Sequence, residues 1–143
     1  MLSNSCEYGL RAALYLAHLD RAGYVSIRTI SDELDISFPF LTKIFQQLKA
    51  ASLVESMRGP KGGVRFTRPA DEITLREIVV AIDGSDLFET CVLGLPGCSD
   101  EAPCPLHDRW TTERSRLETL FTHATLADMA DQIDSFNARL AAT

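Results

Sequence analysis

The chain has 143 residues, 45% hydrophobic and 24% charged, which suits one globular domain with a short appendage and excludes wholesale disorder. No apolar run reaches the ~20 residues a membrane-spanning helix needs, and Glu7, Arg11, His18 and Asp20 break the apolar start, which reads as no signal peptide. The expected location is therefore cytoplasmic, where a cluster of thiols reads as a metal or redox site before it reads as a disulfide framework.

The formal net charge of −6 hides a division. Residues 1–70 carry nine bases against six acids, and residues 71–143 carry five against fourteen. An acidic protein with a basic half can still present a positive face to phosphate.

Residues 5–19 are rich in Ala and Leu, lack Pro and read as a helix buried on most sides, with Gly23 ending it. Ser26 is placed to cap a second helix over 27–34, with Ile30 and Leu34 on one face. The break Asp35-Ile36-Ser37 leads to a third helix, capped by Ser37, that tolerates Pro39 in its first turn and runs to about Ala51. Two short helices joined by a tight turn around one apolar residue form a helix-turn-helix pattern. Two strand-like runs follow, 53–57 and 64–67, separated by the tip Arg58-Gly59-Pro60-Lys61-Gly62-Gly63. A basic hairpin in that place is a wing.

Thr74 caps a short amphipathic helix over 74–82, and residues 84–105 then form a loop without periodicity. From Leu106, apolar residues at 106, 110, 117, 120, 121 and 124 mark one face of a long helix, and a last helix spans 126–140. The first helix could cover that stripe; pairing with a second copy is favoured, since winged regulators meet two half-sites with two protomers. The expected fold is thus mainly α with a small β-hairpin wing: a winged helix-turn-helix over 1–83, a cysteine-rich loop over 84–105, and a dimerisation helix with a C-terminal helix over 106–143.

The loop holds Cys91, Cys98 and Cys104 at spacing C-x6-C-x5-C, with His107 following at C-x2-H. Thiolates are soft ligands for iron–sulfur clusters, zinc or Cu(I), and glycines and prolines between them let the backbone turn around an ion. Spacing alone leaves a cluster and a Cys3His zinc site equally placed, with a thiol/disulfide switch as a third reading. Cys6 reads as a small buried residue rather than a fifth donor. No nucleotide loop, catalytic triad or tight C-x2-C supports an enzyme. The other rival is a winged protein-interaction module with structural zinc.

Nearly the whole chain resembles the Rrf-two family of bacterial winged-helix transcription regulators. The likeness rests on the EYGLRAALYLA segment, the ISDELDIS helix-turn-helix, the runs FLTKIFQQL and LVES, the wing and linker RGPKGGVRFTRPADEITLREIV, and the position of the three-cysteine loop. It implies a homodimer that binds operator DNA, with Cys91, Cys98 and Cys104 holding a cluster near the dimer interface. It also offers two fourth ligands: a histidine placed like His107, as for a [2Fe–2S] cluster, or an acid of the partner's first helix, placed like Glu7, as for [4Fe–4S]. The implied function is a regulator, read as a repressor, that senses iron–sulfur status, redox state or nitric oxide.

On that reading the third helix enters the major groove, with Ser37, Phe38, Phe40, Thr42, Lys43 and Gln46 on its exposed side. Arg58 and Lys61 reach the minor groove from the wing tip, and Gly59, Gly62 and Gly63 permit close approach. Arg28, Arg65 and Arg68 hold phosphates.

Overall fold

A computed structural model describes residues 2–132. Helix α1 (Asn4–Leu19) is capped by Ser3, whose side chain accepts from the Cys6 N–H, and it ends at Asp20 in the left-handed region. The helix therefore stops before Gly23, because Asp20 tolerates that conformation and closes the last turn itself. Helix α2 (Ile27–Leu34) and helix α3 (Phe38–Ala50) start at the expected caps, Ser26 and Ser37, with Pro39 inside the first turn of α3. Between them Ile36 is buried, and the Ser31 hydroxyl donates to its carbonyl at 2.5 Å, which fixes the turn. Ile30, Leu34, Leu41, Ile44, Phe45 and Leu48 close the core between α1, α2 and α3.

Strands β1 (Val54–Met57) and β2 (Gly63–Phe66) pair antiparallel in the register Val54 to Phe66 through Met57 to Gly63. Val25 adds a bridge to Val64, so the residue before the α2 cap stitches the wing to the helices. A 3-10 turn (Ala70–Glu72) leads into α4 (Leu75–Asp83), which opens with a reciprocal capping box between Thr74 and Glu77.

The segment 84–105 is not wholly irregular. A single-turn helix, α5 (Asp86–Glu89), buries Phe88 against Cys6, Val79 and Phe121. Phe88, with Leu87 partly buried beside it, anchors this turn, too little pattern for periodicity to reveal.

Helix α6 (His107–His123) lies mainly on α4 and α5, and none of its residues is fully buried. Of its apolar stripe, Phe121 meets Phe88 edge-on at a centroid distance of 5.7 Å, whereas Leu120 is 61% and Leu106 39% exposed. The chain then returns to the first core. The Leu75 N–H donates to the Ala124 carbonyl, the Leu126 N–H donates to the Ile73 carbonyl, and Leu126 is fully buried. Helix α7 (Leu126–Ala130) thus packs on α1, although the sequence set residues 106–143 apart; the expected continuation to 140 lies outside the described residues. No helix among the described residues is long and apolar enough to cross a membrane.

Candidate metal centre and nucleic-acid interface

The three loop thiols converge. Sγ atoms of Cys91, Cys98 and Cys104 lie within 4.8 Å of one another, and they form the only such group of three or more ligand-type side chains among the described residues. Short backbone hydrogen bonds fold the loop to this end: Gly94 N–H to the Cys91 carbonyl at 2.9 Å, and His107 N–H to the Cys104 carbonyl at 3.0 Å. Gly94 and Gly97 turn the chain at φ of +67° and +74°.

The donors stand as two pairs. Cys91 Sγ is 3.6 Å from Cys104 Sγ, and Cys98 Sγ is 3.4 Å from His107 Nδ1. The other imidazole nitrogen, Nε2, lies 2.8 Å from Asp100 Oδ1. A ligating histidine is commonly oriented in this way, by a carboxylate on the nitrogen that faces away from the metal. His107 is nearly buried while Asp100 is almost fully exposed, so the carboxylate reaches in from solvent.

The thiols do not share one acidity. The Leu95 backbone N–H, helped by that of Leu93 and by the thiols of Cys104 and Cys98, stabilises the Cys91 thiolate against the burial penalty and lowers its pKa to about 7. At Cys98 the Cys104 backbone N–H pulls the other way from burial and the two neighbouring sulfurs, which together leave that thiol above its ordinary value. A thiolate is the metal-binding form of cysteine, so a site that favours one before metal arrives is chemically suited to soft cations. Three sulfurs and an imidazole nitrogen fit an iron–sulfur cluster or zinc.

Glu7 is exposed in the first turn of α1 and does not join the thiols within one chain. Cys6 is fully buried beside Val79 and Phe88, and desolvation, with Asp83 beside it, pushes its thiol up to about 12. It is a small core residue.

Two residues at the site escaped the sequence reading. The Trp110 indole N–H donates to the Thr90 carbonyl at 2.9 Å, and Arg114 donates to the carbonyls of Glu89 and Thr90 at 2.8 and 3.3 Å. Trp110 had been placed in the stripe for a partner helix; it faces the cysteine loop instead. The spacing 107, 110, 114 puts all three side chains on one face of α6 and was the available signal.

The winged half places its candidate DNA-reading residues unevenly. Ser37, Lys43 and Gln46 are exposed on α3, whereas Phe38, Phe40 and Thr42 are half-buried. Phe40 packs edge-on against Tyr8, Phe38 lies under the Arg28 guanidinium at 4.2 Å, and the Thr42 hydroxyl donates to the Phe38 carbonyl at 2.8 Å. Aromatic area beside a solvent-facing helix is covered where a neighbour is in reach, which a helical wheel cannot show. Arg65 donates to Glu55 at 2.6 Å and stacks over Tyr24, and Arg68 donates to Glu77 and to the Glu72 carbonyl. Arg58 and Lys61 are exposed at the wing tip, with no hydrogen-bond or ion-pair partner among the described residues.

The wing glycines divide in the same way. Gly59 has open space around it, but a side chain on Gly62 would run into the Met57 carbonyl and one on Gly63 into the Val25 carbonyl. Gly63 also sits at φ +146°. At Gly62 and Gly63 the absence of a side chain is required by the close approach of backbone to backbone.

The sequence and the fold have counterparts in known proteins. A family profile described as Rrf2, iron-dependent transcriptional regulator, matches residues 2–132. The transcriptional regulator IscR of Escherichia coli O1:K1 is 31% identical over 130 residues, 91% of this chain and 80% of its own. The global cysteine regulator CymR of B. subtilis superposes with a TM-score of 0.78 at 25% identity, over 92% of this chain and 96% of that one. The structure of T. potens IscR matches at 0.71 and 27% identity, over 100% and 93%. With a winged helix-turn-helix fold and a profile match along its described length, the chain belongs to the Rrf2 family of transcriptional regulators.

Proposed function

We propose that the protein is an operator-binding repressor, working as a homodimer, whose DNA affinity is set by an iron–sulfur cluster held by Cys91, Cys98, Cys104 and His107. The convergence of three thiols in one loop, with the His107 imidazole against Cys98, carries this reading. We take the [2Fe–2S] form, with His107 as fourth donor, over [4Fe–4S] with Glu7 of the partner subunit, because within one chain His107 stands against Cys98 while Glu7 does not join the thiols. The description of the family profile as an iron-dependent transcriptional regulator supports an iron-containing centre.

When bound, the cluster supplies a redox-active, nitric-oxide-reactive centre. The chain supplies the linkage. Cys91 follows α5, whose Phe88 sits among residues of α1, α4 and α6, and α4 in turn packs on α3. Ligation at the loop thus bears on the elements that hold the DNA-reading helix, and the uncovered stripe of α6, with Leu106 and Leu120, offers the surface for a second copy. Exposed Ser37, Lys43 and Gln46 would face base edges in the major groove, and Arg58 and Lys61 would reach phosphates or the minor groove. A cluster present or absent then shifts the dimer between two arrangements of its DNA-reading heads.

The test is Cys98→Ala, purified without oxygen beside the wild type. The variant is expected to lose the visible absorption of the cluster and to change its affinity for its own promoter. A variant that keeps both colour and promoter affinity would refute the reading, and a colourless, zinc-loaded wild type would favour the structural-zinc alternative.

A further inference from the structure

The arm that carries Cys91 into the site is held by α6. Arg114 donates to the carbonyls of both Glu89 and Thr90, and Trp110 donates to that of Thr90. These are the two residues immediately before Cys91. Both donors also line the cavity that holds Cys91, Cys98, Cys104 and His107. The other charged side chains around that cavity are Glu89 and Asp100, so Arg114 is its only Lys or Arg among the described residues.

Two consequences follow from the chemistry. A guanidinium is planar and always charged, and the two N–H bonds of Nη1 form a fixed fork, so this one nitrogen bridges two adjacent carbonyls and keeps its charge at any working pH. Three thiolates with bridging sulfides make an anionic centre, and each added electron makes it more so. A fixed cation beside the centre therefore favours the reduced state, since charge and hydrogen bonding near a cluster set its potential.

We propose that Arg114 is a positioning and counter-charge residue of the thiolate site: it locks the Glu89–Thr90 arm so that Cys91 faces the other donors, and it offsets the negative charge of the bound cluster. The proposal rests on the cluster reading above. It asks nothing of the partner subunit, because arm, clamp and thiols all lie in one chain.

The experiment compares wild type, Arg114→Gln and Arg114→Lys, all purified anaerobically. Readouts are the rate of iron loss to a chelator and the reduction potential from an optical redox titration. Both substitutions are good helix formers at a half-exposed position, and thermal melts followed by circular dichroism check that the fold survives. Arg114→Gln is expected to lose iron roughly tenfold to a hundredfold faster, the range for lost outer-shell contacts, and to show a more negative potential. Arg114→Lys keeps the charge without the fork, so its potential should stay near that of wild type while its iron loss is still faster. If Arg114→Gln fails to fold, this split in Arg114→Lys carries the test, and its absence overturns the proposal. A wild type that holds a cluster, beside an Arg114→Gln variant matching it in both readouts, overturns this inference alone. A wild type without iron overturns the cluster reading and this inference with it.

Discussion

Replacing Lys61 with alanine should flatten the salt dependence of DNA binding, and the structure says by how much. Lys61 and Arg58 stand at the wing tip without protein partners among the described residues, whereas Arg65 is committed to Glu55 and Tyr24. Each cation that neutralises one phosphate contributes about 0.9 to the slope of log K against log salt. A dimer carries two wings, so Lys61→Ala should make that slope shallower by about 1.8. Between 50 and 200 mM salt the affinity advantage of wild type over the variant should then shrink by about 12-fold. Anisotropy of a labelled promoter duplex, titrated at four or five salt concentrations, measures this directly. Arg65→Ala is the internal control and should move the slope less than half as far. A Lys61→Ala slope equal to wild type, or Arg65→Ala matching it, would refute the division of wing cations into free and engaged.

Four further outcomes are expected. In cluster-free native protein at pH 8, alkylation should label Cys91, Cys98 and Cys104 and spare Cys6, which is fully buried with a thiol pushed up to about 12; equal labelling of all four would contradict that burial. The same raised value means the folded state keeps Cys6 protonated, so its contribution to stability should be full below pH 9 and fall as pH rises from 9 toward 12, a slope absent from Cys6→Ala in alkaline denaturation curves. Gly63→Ala should cost about 1–3 kcal/mol in chemical denaturation, from its backbone angle alone, with the Val25 carbonyl adding to it; a change below about 0.5 kcal/mol, typical of a neutral surface site, would show that the wing relaxes freely. Leu120→Glu, at a position 61% exposed on α6, should turn the proposed dimer into monomers in sedimentation runs with an unchanged far-ultraviolet circular dichroism spectrum, and an unchanged dimer would move the interface elsewhere.

Much of the fold was legible because local chemistry decides it. Ser26, Ser37 and Thr74 cap their helices where a hydroxyl can satisfy the first free N–H groups, and Ile36 plugs the turn because no other apolar residue is there to do so. The thiol cluster was legible from the spacing of three cysteines in one loop, but the contacts Cys91–Cys104 and Cys98–His107 within it were not, since they depend on how the loop folds. The same limit explains the misplaced details. Periodicity puts Phe40 on the exposed side of α3, where Tyr8 half-covers it, and puts Trp110 in the stripe for a partner helix, where its indole N–H donates to Thr90 instead. Each error concerns a contact between residues far apart in the chain. Periodicity reports which face is apolar, not which neighbour covers it.

The central claim is that the loop thiols and His107 hold a two-iron cluster. Protein purified without oxygen should contain iron and acid-labile sulfide in equal amounts, about two of each per chain, with nitrogen hyperfine coupling in the reduced state that disappears in His107→Ala. Zinc in place of iron, or iron without sulfide, would contradict it.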